Sequence, residues 1–169
     1  VTMYSRKDWN ARAPRARYRL EPDQVEGVAL HWPATTTKYQ TPAGVMAALR
    51  AWQNYHMDTH GWSDIAYQVA IDQAGNWYQL RGLRHRSGAN GNDDVNLRYG
   101  AILLVVAEGE QPTGALMSRT RERIARFRHI FPQARAIVGH QDVRPEPTSC
   151  PGPMVEALIQ RGAFEPRRK

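Results

Sequence analysis

Residues 99–107, "YGAILLVVA", run for nine positions without a charged or strongly polar side chain. A run this short and this rich in Ile, Leu and Val is what a central strand looks like when both of its faces are covered. Further strand candidates lie to either side: "GVALHW" (27–32), "IAYQVAID" (65–72) and "ARAIVGH" (134–140). "DQAGN" (72–76) is a turn, and "WYQL" returns from it as a hairpin partner. Helical signals separate the strands. Thr41-Pro42 offers an N-cap followed by a proline at the first helical position, and Val45, Leu49, Trp52 and His56 then recur at helical spacing to about Met57. Thr113 caps a second helix whose inner face is Leu116, Thr120, Ile124, Phe127 and Phe131; its arginines fall mainly elsewhere. Pro153 starts a last helix over 153–161, stopped by Gly162. Strands interleaved with helices predict an α/β fold with a central mixed β-sheet flanked by helices.

At 169 residues the chain is read as one domain spanning 1–169. Residues 1–26 read as an irregular N-terminal arm, 81–98 as a long polar loop, and 163–169 as a frayed basic tail. There is no run approaching the ~20 apolar residues of a membrane span. The N-terminal "VTMYSRKDWN" lacks a signal-peptide core, and a start without Met fits a domain excised from a longer chain. The formal net charge of +7 predicts attraction to an anionic partner: nucleic acid, an acidic membrane or a polyanionic cell wall. For nucleic acid, nothing beyond the charge of the Arg119–Arg128 stretch speaks, and none is expected as a partner.

The chain has a single cysteine, Cys150, in "GHQDVRPEPTSCPG" (139–152). One cysteine forms no intramolecular disulfide, so the thiol is a small core residue, a nucleophile or a metal ligand. His31 and His140 each end a predicted strand, where sites in α/β sheets gather, and Cys150 lies on the loop leaving the second. Two imidazoles and a thiolate suit one Zn²⁺, with the fourth position open to water or substrate. Spacing alone leaves this open. A thiol hydrolase, with Cys150 as nucleophile just ahead of a helix and a histidine as base, uses the same residues. His56 and His60 stand four apart, but Gly61 ends the helix there; His85 and His129 read as structural or exposed.

"GHQDVRPEPTSCPG" resembles the GH-x-D…CPG signature of the zinc-dependent N-acetylmuramoyl-L-alanine amidases, the family of T7-type lysozymes and peptidoglycan recognition proteins. "ALHWPATTT" resembles its first-histidine strand, and "GWSDIAYQVAIDQAGNWYQLRG" its GW-x-D-I-x-Y block. The three pieces stand in the family's order across about 27–153. The arginine-rich amidase domains of mycobacteriophage endolysins are similar further still.

The resemblance implies the amidase fold, zinc held by His31, His140 and Cys150, and an active-site tyrosine at Tyr67. Periodicity alone makes Tyr67 a core residue, facing with Ile65, Val69 and Ile71. Thr148 takes the place of a lysine in T7-type enzymes and offers a hydroxyl without charge. A catalytic Glu that some relatives carry on the strand at 99–107 has no counterpart in Ile102, Leu103 and Leu104. The family's G-A-H loop appears as "GAN", with Asn90 for the histidine, a change expected to bear on substrate contact. Asp142 and Asp64 are candidates to orient the ligand histidines.

The implied activity is hydrolysis of the amide between N-acetylmuramic acid and L-alanine, by a monomer acting on peptidoglycan, with anionic wall polymers as charge partners. In the endolysin setting it is made in a host cytoplasm without a signal peptide and acts on the wall after release. A non-catalytic peptidoglycan-binding module is the competing expectation. Members that only bind commonly replace the cysteine, which is present here.

Overall fold

The structure is a computed structural model and describes residues 2–168. Val1 of the expected arm and Lys169 of the expected tail lie outside the described residues. Six strands form one mixed sheet: β1 (Met3–Tyr4), β2 (Gly27–His31), β3 (Val69–Ile71), β4 (Trp77–Gln79), β5 (Tyr99–Leu104) and β6 (Ala136–Gly139), in the order β1-β4-β3-β5-β2-β6. β5 sits in the middle, parallel to β3 and β2, and β2 is parallel to β6. Among the six described strands the β3–β4 hairpin is the one antiparallel pair. Every residue of β5 is buried, which is why its sequence carries no polar alternation.

Among the described residues five α-helices flank the sheet, α1 (Pro42–Asn54), α2 (Asp93–Arg98), α3 (Gly114–Ile130), α4 (His140–Val143) and α5 (Pro153–Gln160), and a π-helical turn over Tyr55–Thr59 continues α1. The Thr41 hydroxyl accepts from Gly44 N, and the Thr113 hydroxyl from Leu116 N, so both predicted caps form. Leu116, Ile124 and Phe127 of α3 pack with Val155 and Leu158 of α5 against Val28, Leu30, Ile102 and Leu104. The opposite face carries α1, whose Val45 and Leu49 meet Ala70, Leu103 and Tyr78. α2 covers the same side near β2, with Val95 against Ala29 and Tyr99. The period-2 alternation of β2 therefore aims His31 toward the α1/α2 face while Val28 and Leu30 serve the other. Gly100 lets α3 press close: a Cβ there would sit 2.8 Å from the Phe127 ring.

Four expectations change. The stretch 1–26 is largely irregular, but Met3–Tyr4 adds an edge strand and Trp9 is buried, with its Nε1 donating to Gln79 O. The strand expected over 65–72 shortens to 69–71, and residues 65–68 approach it as irregular chain, bent at 66 and 68 and bonded to β5 by Gln68. The polar loop 81–98 ends in α2, because the Asn92 side chain caps Val95 N and two aspartates favour the first turn. The tail is anchored: Phe164 is 1% exposed in the α3–α5 core, and Arg128 pairs with Glu165. Periodicity misses a single aromatic anchor of this kind because it has no repeat to register.

Candidate metal centre

His31, the last residue of β2, is 1% exposed and lies on the sheet face that carries α1 and α2. Its Nδ1 lies 3.6 Å from Cys150 Sγ. His140 does not end β6; it begins α4 directly after Gly139, and its ring stands 4.5 Å from that of His31. The turn carrying it is fixed by Asp142, whose carboxylate accepts from Gly139 N at 2.8 Å. The candidate ligand atoms of His31, His140 and Cys150 lie within 4.8 Å of one another.

The donor set fits a zinc ion. Bond lengths of about 2.3 Å to sulfur and 2.0–2.1 Å to nitrogen, at a tetrahedral angle, place a sulfur and a nitrogen about 3.6 Å apart. That is the His31–Cys150 separation. His140 Nε2 is buried without a hydrogen-bond partner, an orphan of the sort a metal satisfies. Burial and then the neighbouring His140 push the His31 pKa down to about 3, with Asn90 opposing. Burial and then Arg144 lower His140 to about 4, with the Asn90 backbone opposing. Both imidazoles are therefore neutral at pH 7, the form that ligates. Burial pushes the Cys150 thiol up to about 12, against weaker lowering by the Trp32 backbone and Arg144. A thiol so raised is a poor nucleophile by itself, which speaks against the thiol-hydrolase reading; beside a dipositive ion it ionises.

Tyr67 is half-buried at the edge of the centre, its ring 5.4 Å from that of His31. It lies just before β3, not within a strand. Burial, and then proximity to Cys150, raise its pKa, so the hydroxyl keeps its proton. The Thr148 hydroxyl accepts from Cys150 N at 3.3 Å, which ties it to the ligand loop and leaves its proton free to donate.

The expected orienting aspartates act elsewhere. Asp64 is held by Arg6 and Gln53 and bonds neither His31 nor His140, and Asp142 caps the α4 turn. The partner of His31 is Asn90, whose Oδ1 stands 2.8 Å from Nε2. Asn90 is fully buried, so the expected substrate contact through its side chain gives way to a place behind the ligand. The polar loop holding it carried the signal, since "GAN" stands where the resemblance has a histidine. The remaining histidines stay outside the centre. His56 Nδ1 accepts from Ala66 N, His60 stacks on Trp62, His85 contacts Arg81 O, and His129 is exposed. Burial, His60 and Arg81 lower His56 to about 4 against Asp64.

Residues 21–153 match the N-acetylmuramoyl-L-alanine amidase family. The chain is 28% identical to peptidoglycan-recognition protein LB of Drosophila melanogaster, over 93% of this chain and 67% of that protein. It is 32% identical to an N-acetylmuramoyl-L-alanine amidase of Sus scrofa over 63% of this chain, and spans 18% of that longer protein. The solved structure of Drosophila PGRP-LB superposes with a TM-score of 0.82 at 23% identity, covering 98% of this chain and 96% of that one. Peptidoglycan recognition protein LE, solved with tracheal cytotoxin, a monomeric diaminopimelic acid-type peptidoglycan, also gives 0.82 at 23% identity, covering 96% and 95%. These structures share the mixed-sheet fold. The match over most of the chain, in the order of its sequence blocks, places this protein in the N-acetylmuramoyl-L-alanine amidase family.

Proposed function

We propose that the protein is a zinc-dependent amidase that cleaves the bond between N-acetylmuramic acid and L-alanine in peptidoglycan. The observation that carries this reading is the trio His31, His140 and Cys150, with two neutral imidazoles and a thiol whose ligand atoms converge on one point. When bound there, zinc supplies a Lewis acid for the carbonyl and lowers the pKa of water to about 7. The chain's own residues do the rest. His31, His140 and Cys150 would hold the ion. Tyr67 keeps its phenolic proton, and its ring stands beside that of His31, where the hydroxyl would donate to the oxyanion developing on the scissile carbonyl. Thr148 offers a second, uncharged donor from the ligand loop.

The peptidoglycan partner is supported by membership in the family and by the bound fragment in the related LE protein. Anionic wall polymers are proposed as a charge partner. Arg6, Arg17, Arg81, Arg84 and His85 line one surface cleft that has no acidic residue in its walls. Among the described residues no helix is long and apolar enough to cross a membrane. A monomer, the endolysin setting and release from a host cytoplasm belong to the proposal and rest on the sequence resemblance.

Digestion of purified peptidoglycan with and without EDTA tests the reading, with products identified by mass. Free N-terminal L-alanine peptides and intact glycan strands are expected, and chelation abolishes them. Glycan fragments, or full activity after complete zinc removal, would overturn it. A binding-only module would retain walls without releasing peptides.

A further inference from the structure

We propose that Asn90 is a positioning residue of the metal centre, whose side-chain carbonyl turns the ligating nitrogen of His31 toward the ion and so sets the affinity for zinc. The proposal rests on the zinc reading above. The deduction runs outward from β5. The Asn90 amide nitrogen donates to Tyr99 O at 2.9 Å and lies 3.4 Å from Gly100 O. Backbone carbonyls only accept, so they fix which end of the amide faces them. Oδ1 is thereby left against His31 Nε2, at 2.8 Å. A carbonyl oxygen cannot donate, so Nε2 carries the ring proton and Nδ1 carries the lone pair. Nδ1 is the atom that faces Cys150 Sγ.

Asn90 is held from several sides. Asn90 is fully buried, its own N–H donates to Asn96 Oδ1 at 2.9 Å, and Asn96 belongs to α2. His31 is 1% exposed, so bulk water is poorly placed to replace the bond to Nε2. Losing the Asn90 carbonyl leaves a buried N–H unpaired and lets His31 take the other tautomer, with the proton on the nitrogen that should ligate.

The test compares Asn90→Ala with Asn90→Asp in the full chain. Zinc affinity is measured by competition with a chromophoric chelator, the cobalt(II) absorption spectrum reports ligand geometry, and melting of the metal-free protein reports the fold. Removing a partner behind a ligand histidine typically costs 10–100-fold in metal affinity, and Asn90→Ala is expected to lose about that much, with an altered cobalt spectrum. Asn90→Asp keeps an acceptor for Nε2 and is expected to stay within about fivefold of the parent, although it loses the donors to Tyr99 and Gly100. Both should melt earlier, so a role in folding alone would lower their zinc affinities together. If Asn90→Ala does not fold, Asn90→Ser, whose hydroxyl is too short to reach His31, takes its place. Parent-like affinity in the folded Ala or Ser variant overturns the proposal, as does a loss in Asn90→Asp equal to theirs. Failure of the unaltered protein to bind zinc would overturn the metal reading itself.

Discussion

Cys150 Sγ stands 3.6 Å from His31 Nδ1 across 119 residues of sequence. Nothing local brings them together. A buried parallel strand delivers the imidazole, and the loop between α4 and α5 folds the thiol back onto it. The pairing explains why a chain with no disulfide to make keeps a thiol at this position.

Cys150→Ser is expected to lose both zinc and amidase activity while remaining folded, because a hydroxyl is a far weaker ligand than a thiolate. Metal analysis of the purified variant, with peptide release from peptidoglycan, checks both losses. Full activity in this variant would refute the ligand set.

Tyr67→Phe and Thr148→Ala should separate binding from chemistry. Both are expected to retain the metal. Loss of the Tyr67 hydroxyl is expected to lower kcat on the order of 10²–10³, the usual effect of removing an oxyanion donor. Thr148→Ala should cost less, since its hydroxyl bears no charge and already accepts from Cys150 N. Equal zinc content with unequal kcat is the expected pattern.

How much of this was legible follows from the kind of signal each part leaves. The strand at 99–107 announced itself because both its faces are buried, and the caps at Thr41 and Thr113 are local chemistry. His31, His140 and Cys150 were visible as residue types, but their convergence depends on the β5-β2-β6 order, which no spacing encodes. Asn90 was visible only as a departure from a motif; its partners are two carbonyls and an imidazole that meet through the sheet. Phe164 and Trp9 were hidden because single anchors in polar segments have no period.

Acid should destabilise the metal-free protein. His31 is lowered to about 3, and His56 and His140 to about 4, from an ordinary value of 6.5. Between pH 6.5 and about 4 the unfolded chain binds more protons at these sites than the folded one, so stability rises with pH across that window. The contribution is complete above about 6.5 and is lost as pH falls toward the folded values. Glu156, raised chiefly by burial, acts in the opposite sense, one carboxyl against three imidazoles. A lower melting temperature at pH 5 than at pH 7.5, in chelator-treated protein, is the expected result.

The tail offers a test of the fold. Phe164→Ala removes a fully buried ring from the α3–α5 core and is expected to cost about 3 kcal/mol, read from denaturant unfolding. A frayed tail would give no change.

Wall attraction should follow salt and the arginine cleft. Arg17 and Arg84 are exposed and, among the described residues, have no acidic partner. Arg17→Gln with Arg84→Gln is expected to weaken binding to purified anionic walls at low ionic strength. The difference should vanish near 0.5 M salt, where charges are screened beyond ~4 Å. Hydrolysis of a short soluble muropeptide should not change, because the metal centre is untouched. A double variant that binds walls like the parent at low salt would remove the cleft as the source of attraction, leaving the net charge of +7 acting through the rest of the surface.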